Sequence, residues 1–194
     1  MISVIILAGG KSSRMGKDKL RLTIGTETFL EAAVRKFSSE FENVYLSVPD
    51  EEKYAGLDCR FICDIFPGRG PLSGLHAALT GCPGDGVFLV AADMPFSEPK
   101  AAREMIRLGD GHDACAIKTD SGAEPLFTYY AKSCLNACER AIASGDNKME
   151  NLLNTVSARY VTPDELGTMW KPELIFNVNY PSDYDSVMKL INMS

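Results

Sequence analysis

The sequence contains no apolar run approaching the ~20 residues that a membrane-spanning helix needs. Its longest candidate near the N-terminus, Val4 to Ala8, is of strand length and has no basic region before it, so it is not read as a signal peptide. An excess of positive charge is missing too. Twenty-six acidic residues oppose 20 basic ones, giving a net charge of -6 and a pI near 5.0. That balance argues against a general nucleic-acid or membrane-surface binder. Metal-cluster chemistry is poorly supplied: only His76 and His112 are available, and none of the six cysteines forms a C-x-x-C pair. Cys59 and Cys63, like Cys134 and Cys138, stand four apart. They are expected to be small buried hydrophobes in a reducing compartment, not a disulfide framework. No internal repeat, low-complexity tract or linker interrupts the chain. With 45% hydrophobic and 24% charged residues, general disorder is excluded as well. The expectation is a soluble, acidic, cytosolic protein whose 194 residues suit one domain.

What is present is an alternation of strand, loop and helix. Ile2 to Leu7 is a continuous aliphatic run closed by Gly9-Gly10, as expected of a strand buried on both faces of a parallel sheet. Phe29, Leu30, Ala33, Val34 and Phe37 fall on one face of a helix within 27–37. Strands are predicted over 43–48, 60–63 and 87–91, with a helix from Pro71 to about Thr80. Beyond them the pattern predicts a helix over 99–108 and strands over 114–118 and 125–130. Helices over 133–144 and 148–155 and a strand near 158–161 follow. A last short strand over 174–177 and a helix over 182–191, capped by Ser182 or Asp183, complete the order. Such alternation implies an α/β domain with a mostly parallel sheet and right-handed crossovers. Ligands of open α/β sheets bind beyond the carboxyl ends of the strands. The chemistry-bearing residues stand there.

Directly after the first strand come Gly9, Gly10, Lys11, Arg14, Gly16, Lys17, Asp18, Lys19 and Arg21. Glycines let backbone N–H groups approach a phosphate, while Arg and Lys neutralise it. The loop is not a P-loop, because the spacing from Gly10 to Gly16 is one residue too long and Asp18 replaces the Ser/Thr. Nor is it a G-x-G-x-x-G fingerprint. A solvated basic turn is the alternative, but it leaves this concentration of Gly, Arg and Lys unexplained. After the third strand, Asp64 leads into Pro67-Gly68-Arg69-Gly70-Pro71, with Gly74 beyond. This reads either as a rigid shelf beside the phosphate loop or as a Pro/Gly turn that starts a helix. The G-x-G-x-x-x-G spacing also occurs in some NADP-binding proteins, although that fingerprint belongs on the first strand. After the fourth strand stands Asp93, placed to hold a hard cation such as Mg²⁺, or alternatively to cap a helix that Ser97 can cap itself. Asn177 and Asn179 could meet polar substrate edges, enter a metal shell or serve as turn residues.

Five segments together carry a family resemblance. Leu7-Ala8-Gly9-Gly10, with Arg14-Met15-Gly16 and Asp18-Lys19, resembles the nucleotidyltransferase signature L-A-[GA]-G-x(3)-R-M-G-x-D-K. Asp64 to Gly74 resembles D-x-x-P-G-x-G-P-x-x-G, and Val90 to Phe96 resembles a metal-site segment. Glu124-Pro125-Leu126-Phe127 resembles [EH]-P-L-F, and Phe176-Asn177-Val178-Asn179, with Asp183 beyond, resembles F-x-N-x-N. In order and over essentially the whole chain, the set is similar to the molybdenum cofactor guanylyltransferases, the MobA family. The resemblance implies a Rossmann-like three-layer α/β sandwich with a mostly parallel, mixed sheet, of the nucleotide-diphospho-sugar transferase type, as one nucleotidyltransferase domain over 1–194. It implies transfer of GMP from GTP to molybdopterin-bound molybdenum with release of pyrophosphate.

By position, the resemblance puts Leu7, Ala8 and Gly9 near the guanine nucleotide, Arg14 and Lys19 on the phosphates, and Asp64 at the nucleotide. Asp93 would bind Mg²⁺, with Arg14, Lys19 and Asp93 as the catalytic set. Gly70, Gly74, Asn177 and Asn179 would lie near the acceptor. Transient contact with proteins that deliver molybdopterin and with molybdoenzymes is implied, in the cytoplasm, with no nucleic-acid or membrane partner. The chain departs from many relatives at Ser47-Val48-Pro49-Asp50, where an asparagine is common, at Ala92 for cysteine and at Tyr180 for threonine. Competing readings are a molybdopterin cytidylyltransferase, a transferase acting on another sugar or alcohol phosphate, and a GTP-binding or cofactor-carrier protein without turnover. Cytidylyl relatives usually carry Ala-Ala-Gly where this chain has Ala8-Gly9-Gly10.

Overall fold

The N-terminal aliphatic run forms β1 (Ile2–Leu7). The computed structural model, which describes residues 1–8, 22–54 and 56–192, puts β1 inside a seven-stranded sheet. Val4, Ile6 and Ala8 enter one core cluster and Ile5 and Leu7 another, the two-residue period of a strand buried on both faces. Parallel pairing joins β1 to β4 (Val44–Val48) on one side and β6 (Gly86–Ala91) on the other. Outside β4 lies β5 (Arg60–Cys63), also parallel. The registers bring the carboxyl ends into line: Leu7 lies opposite both Ser47 and Ala91, and Val48 opposite Cys63. Loops leaving these strands therefore open on one edge of the sheet.

Helices cover both faces, as the three-layer expectation requires. On one side lie α1 (Phe29–Ser38) and α3 (Pro99–Leu108), contributing Leu30, Ala33, Phe37, Ala102 and Met105 to the core. On the other lie α2 (Pro71–Gly81), α4 (Leu135–Ser144) and α5 (Met149–Leu153). A short hairpin of β2 (Thr23–Ile24) and β3 (Glu27–Thr28), absent from the sequence expectation, precedes α1. Thr28 ends it and starts the helix. Its hydroxyl accepts from the Glu31 N–H (3.2 Å), and the Glu31 carboxylate accepts from the Thr28 N–H (2.7 Å). That reciprocal pair satisfies two otherwise orphaned groups.

The second half of the sheet is antiparallel in part. β8 (Gly122–Ala131) runs antiparallel between β6 and β7 (Ala114–Thr119), and β9 (Ala158–Val161) pairs parallel with β7. β8 exceeds the predicted 125–130 and contains an irregularity. Ala116 pairs with Thr128 but Ile117 with Glu124, so residues 125–127 bulge from the β7 ladder. The buried Tyr130 hydroxyl donates to the Pro125 carbonyl (3.0 Å), and the Thr128 hydroxyl to that of Glu124 (2.6 Å), which holds the bulge in place.

Several expectations need correction. No strand forms over 174–177: a single 3-10 turn, Pro172–Ile175, stands there, and the following backbone bonds to a loop in place of a strand ladder. Neither Ser182 nor Asp183 is the cap residue before the last helix (Pro181–Asn192). Asp183 lies inside its first turn and accepts from the N–H groups of Asn179 and Tyr180 (2.8 Å each). Ser97 does not cap α3 either, since Glu98 holds that position without a side-chain bond. Ser97 is buried, and its carbonyl accepts from the Lys36 ammonium (3.0 Å). All six cysteines are free, and Cys82, Cys115, Cys134 and Cys138 are buried as expected. Cys63 is exposed, with its thiol against Glu51 (3.2 Å).

Candidate functional site

Because the ends of β1, β4 and β6 are in register, the segments beyond them converge on a cleft of about 830 Å³. Leu7 and Ala8 form its floor at the end of β1; the Ala8 N–H donates to the Ser47 carbonyl (3.0 Å) and its carbonyl accepts from the Tyr54 hydroxyl (3.3 Å). Asp64 enters from the end of β5, half-buried, and burial pushes its carboxyl above the ordinary carboxylate value. The loop after it turns on Gly68 (φ 86°) and Gly70 (φ 65°), positive angles that L side chains adopt only with strain. Gly70 precedes α2 with no side chain capping the helix. The Ser73 hydroxyl, one turn in, ties the loop back by donating to the Phe66 carbonyl.

Gly74, on the inner face of α2, lines the same cleft. A Cβ there would lie 2.5 Å from the Ser47 hydroxyl oxygen and 2.6 Å from a Leu7 methyl. The helix can approach the sheet this closely only without a side chain at that position. Gly74 thus has a packing function in addition to its place at the site.

Asp93 follows β6 and is only 8% exposed. Its carbonyl accepts from the Val178 N–H (3.0 Å), which moors the segment after the 3-10 turn beside it. Asn177 and Asn179 flank Val178 and line the cleft on either side of that anchor. Opposite, the β8 bulge brings in Glu124, Pro125 and Leu126. Glu124 accepts from the Leu126 N–H (2.8 Å) and the Asn177 amide (3.3 Å). Burial still raises its carboxyl above the usual range, and the nearby charges of Asp93 and Glu150 add to that shift.

Hard oxygen donors therefore face the cleft from Asp64, Asp93, Glu124 and Glu150. Among the described residues, no group of three or more His, Cys, Asp or Glu side chains is arranged to hold a metal ion. One buried carboxylate, with a second carboxyl lining the same cleft, suits a hard cation that completes its shell with water and substrate phosphates. Asp93 fits that role, and it is not the cap of a helix.

Every described residue singled out from the sequence borders this one cleft: Leu7, Ala8, Asp64, Gly70, Gly74, Asp93, Asn177 and Asn179. Gly9, Arg14 and Lys19, with the rest of the basic segment, lie outside the described residues. Glu124 had a motif without a role, and Glu150 had no sequence signal, since it is a charged residue on a short helix (α5). Ser47, Val48 and Pro49 also line the cleft, at the departure from the usual asparagine.

Residues 4–161 match the sequence profile of the MobA-like NTP transferase domain. A protein of Pelotomaculum thermopropionicum named "probable molybdenum cofactor guanylyltransferase" is 36% identical over 92% of this chain and 88% of its own. One of the same name from Carboxydothermus hydrogenoformans is 31% identical over 99% of this chain and 98% of its own. The crystal structure of molybdopterin-guanine dinucleotide biosynthesis protein A from Archaeoglobus fulgidus superimposes with a TM-score of 0.90 at 28% identity, covering 100% of both chains. The registered strand ends, the carboxylate after β6 and these likenesses over almost the full length agree, and the chain belongs to the MobA-like NTP transferase family of nucleotidyltransferases.

Proposed function

We propose that the protein transfers GMP from GTP to the phosphate of molybdopterin-bound molybdenum, in the cytoplasm, where its six free cysteines stay reduced. The observation that carries the reading is the meeting of Asp64, Asp93, Asn177 and Asn179 in one cleft, in a chain whose relatives bear the guanylyltransferase name. An oxygen of the acceptor phosphate attacks the α-phosphorus of GTP. The bond from that phosphorus to the bridging oxygen breaks, and its electron pair leaves with pyrophosphate. No general base is needed, because the acceptor phosphate is already anionic at neutral pH. Catalysis of this kind rests on positioning and on charge stabilisation.

Leu7, Ala8 and Gly9 would lie against the guanine nucleotide, with Asp64 contributing to its binding. Arg14 and Lys19 would hold the phosphates and offset charge on the departing pyrophosphate. Asn177 and Asn179 would shape the acceptor side beside Asp93, and Gly70 and Gly74, which lie toward Asp64 and Leu7, would border the acceptor only at its phosphate. Asp93 would hold Mg²⁺, which when bound neutralises phosphate charge in the ground and transition states. Transient contacts with molybdopterin-delivering proteins and with molybdoenzymes belong to the same proposal.

Two measurements test it. With Mg²⁺ present, GTP is expected to raise the melting temperature more than CTP, ATP or UTP; equal shifts for all four would remove the guanine assignment. Asp93→Asn is expected to abolish pyrophosphate release with GTP and molybdenum cofactor while its circular dichroism spectrum stays native. Undiminished turnover in that variant would place the metal elsewhere.

A further inference from the structure

A second hollow of about 400 Å³ adjoins the main cleft, and Ala123 and Glu124 are common to the walls of both. Its remaining walls come from the β7–β8 turn (Thr119, Ser121, Gly122) and from Trp170, Pro172 and Ile175. Trp170 is half-buried, supported from behind by the core, and is the only tryptophan of the chain. We infer that this hollow holds the fused pterin ring of the acceptor, its face on Trp170 and its phosphate arm running past Glu124 to the reaction centre. The inference rests on the reaction proposed above and extends it to one substrate's ring system.

Three observations carry it. The first is position. Sheet order runs β5-β4-β1-β6-β8-β7-β9, so the hollow lies on the far side of Asp93 from Leu7, Ala8 and Asp64. A group bound there cannot be the part of the nucleotide held at β1 and β5. From β6 across β8 to β7 is two strand spacings, about 10 Å. That is the reach of a phosphomethyl arm with the ring fused behind it.

The second is shape and surface. A hollow of this size suits a planar bicycle, and its indole and its proline and isoleucine walls offer a stacking platform. The third is polarity at the join. Each Glu124 oxygen already accepts one N–H, from Leu126 or Asn177, and keeps a lone-pair direction for another. The ring N–H groups of a reduced pterin nearest its phosphate arm are donors of that kind. At the other end, Ser121 supplies a hydroxyl for the amino-pyrimidinone edge, while the Thr119 hydroxyl holds the turn by donating to the Gly122 carbonyl (3.4 Å) and accepting from the Ser121 N–H (3.2 Å).

The sole tryptophan makes the test direct. In the wild-type protein, 6-hydroxymethyl-7,8-dihydropterin should quench the Trp170 fluorescence saturably. Ser121→Phe, on an exposed turn outside the core, should fill the hollow and remove that quenching. In turnover assays, Ser121→Phe and Trp170→Ala should each raise the KM for molybdenum cofactor about tenfold and leave the KM for GTP unchanged, as expected for one lost stacking contact. Quenching that persists in Ser121→Phe, an unmoved acceptor KM in both variants, or a parallel rise in the GTP KM would each overturn the inference. Saturable quenching removed by Ser121→Phe, in a wild-type protein that does not turn over GTP with molybdenum cofactor, would support the hollow as a pterin site and reject the reaction.

Discussion

Asp64 and Asp93 sit at equivalent places, each just past a strand end, and the protein treats them differently. Asp64 is half-buried, and loss of water alone holds its carboxyl above the ordinary value of 3.8. Between that value and its folded pKa the native state carries more protons than the unfolded chain, so stability falls as pH rises through the interval. The penalty is absent at lower pH and complete at higher pH. Asp64→Asn removes it, so the melting temperature of this variant is expected to exceed that of wild type near neutral pH and to match it at about pH 3. Nucleotide binding should weaken in the same variant, because the group that destabilises the fold is one proposed to serve the ligand. A variant less stable than wild type at neutral pH would show that Asp64 has a structural partner. At this scale the sequence was legible for Asp64 and Asp93, since a carboxylate directly after a predicted strand is visible in one dimension. Glu124 was not, because its burial arises from the bulge of β8 and from Asn177, which is 53 residues away.

Among the elements, α2 shows how closely packing and site are joined. Its glycine at position 74 lets the helix lie against Leu7 and Ser47, and both of those residues also line the cleft. Gly74→Ala is expected to cost about 1–3 kcal/mol, the usual range for overpacking a tight contact. Chemical denaturation should show this as a lower midpoint. Adding Ser47→Ala removes the hydroxyl at 2.5 Å but leaves the Leu7 methyl at 2.6 Å, so a partial recovery is expected. No recovery would assign the strain to Leu7 alone. Most elements were readable from apolar spacing, including the whole of β5 and α3, whose predicted limits match the observed ones. The stretch over 174–177 was not, because a short apolar run is compatible with strand or turn. The Val178 N–H bond to Asp93 that decides between them is a tertiary contact.

Across the whole molecule, charge is unevenly shared. The net charge is -6, yet Lys11, Arg14, Lys17, Lys19 and Arg21 stand in one segment with a single carboxylate, Asp18. The described cleft wall adds Asp64, Asp93, Glu124 and Glu150, all acidic. In the proposed reaction a triphosphate would be drawn in by the basic segment and by a divalent cation, against this acidic wall. Calorimetric titration of GTP with Mg²⁺ is expected to show affinity falling several-fold as salt rises from about 50 to about 300 mM, since the Debye length shortens. Removing Mg²⁺ should weaken binding further. Salt-independent affinity would mean that the base alone carries recognition.

The sequence by itself determined the layered α/β plan, the strand ends whose following residues line the cleft and the clustering of cations in the segment after β1. Apolar periodicity, glycine placement and local charge are properties of neighbouring residues, and they survive in one dimension. Only the tertiary structure decided that β8 runs antiparallel and bulges at Pro125, that Glu124 meets Asp93 and Glu150 in one cleft, and that a second hollow opens beside Trp170. Each of those depends on strand register and on contacts between residues far apart in the chain. A local pattern constrains them only weakly, because a strand's direction and its partner are settled by what packs against it.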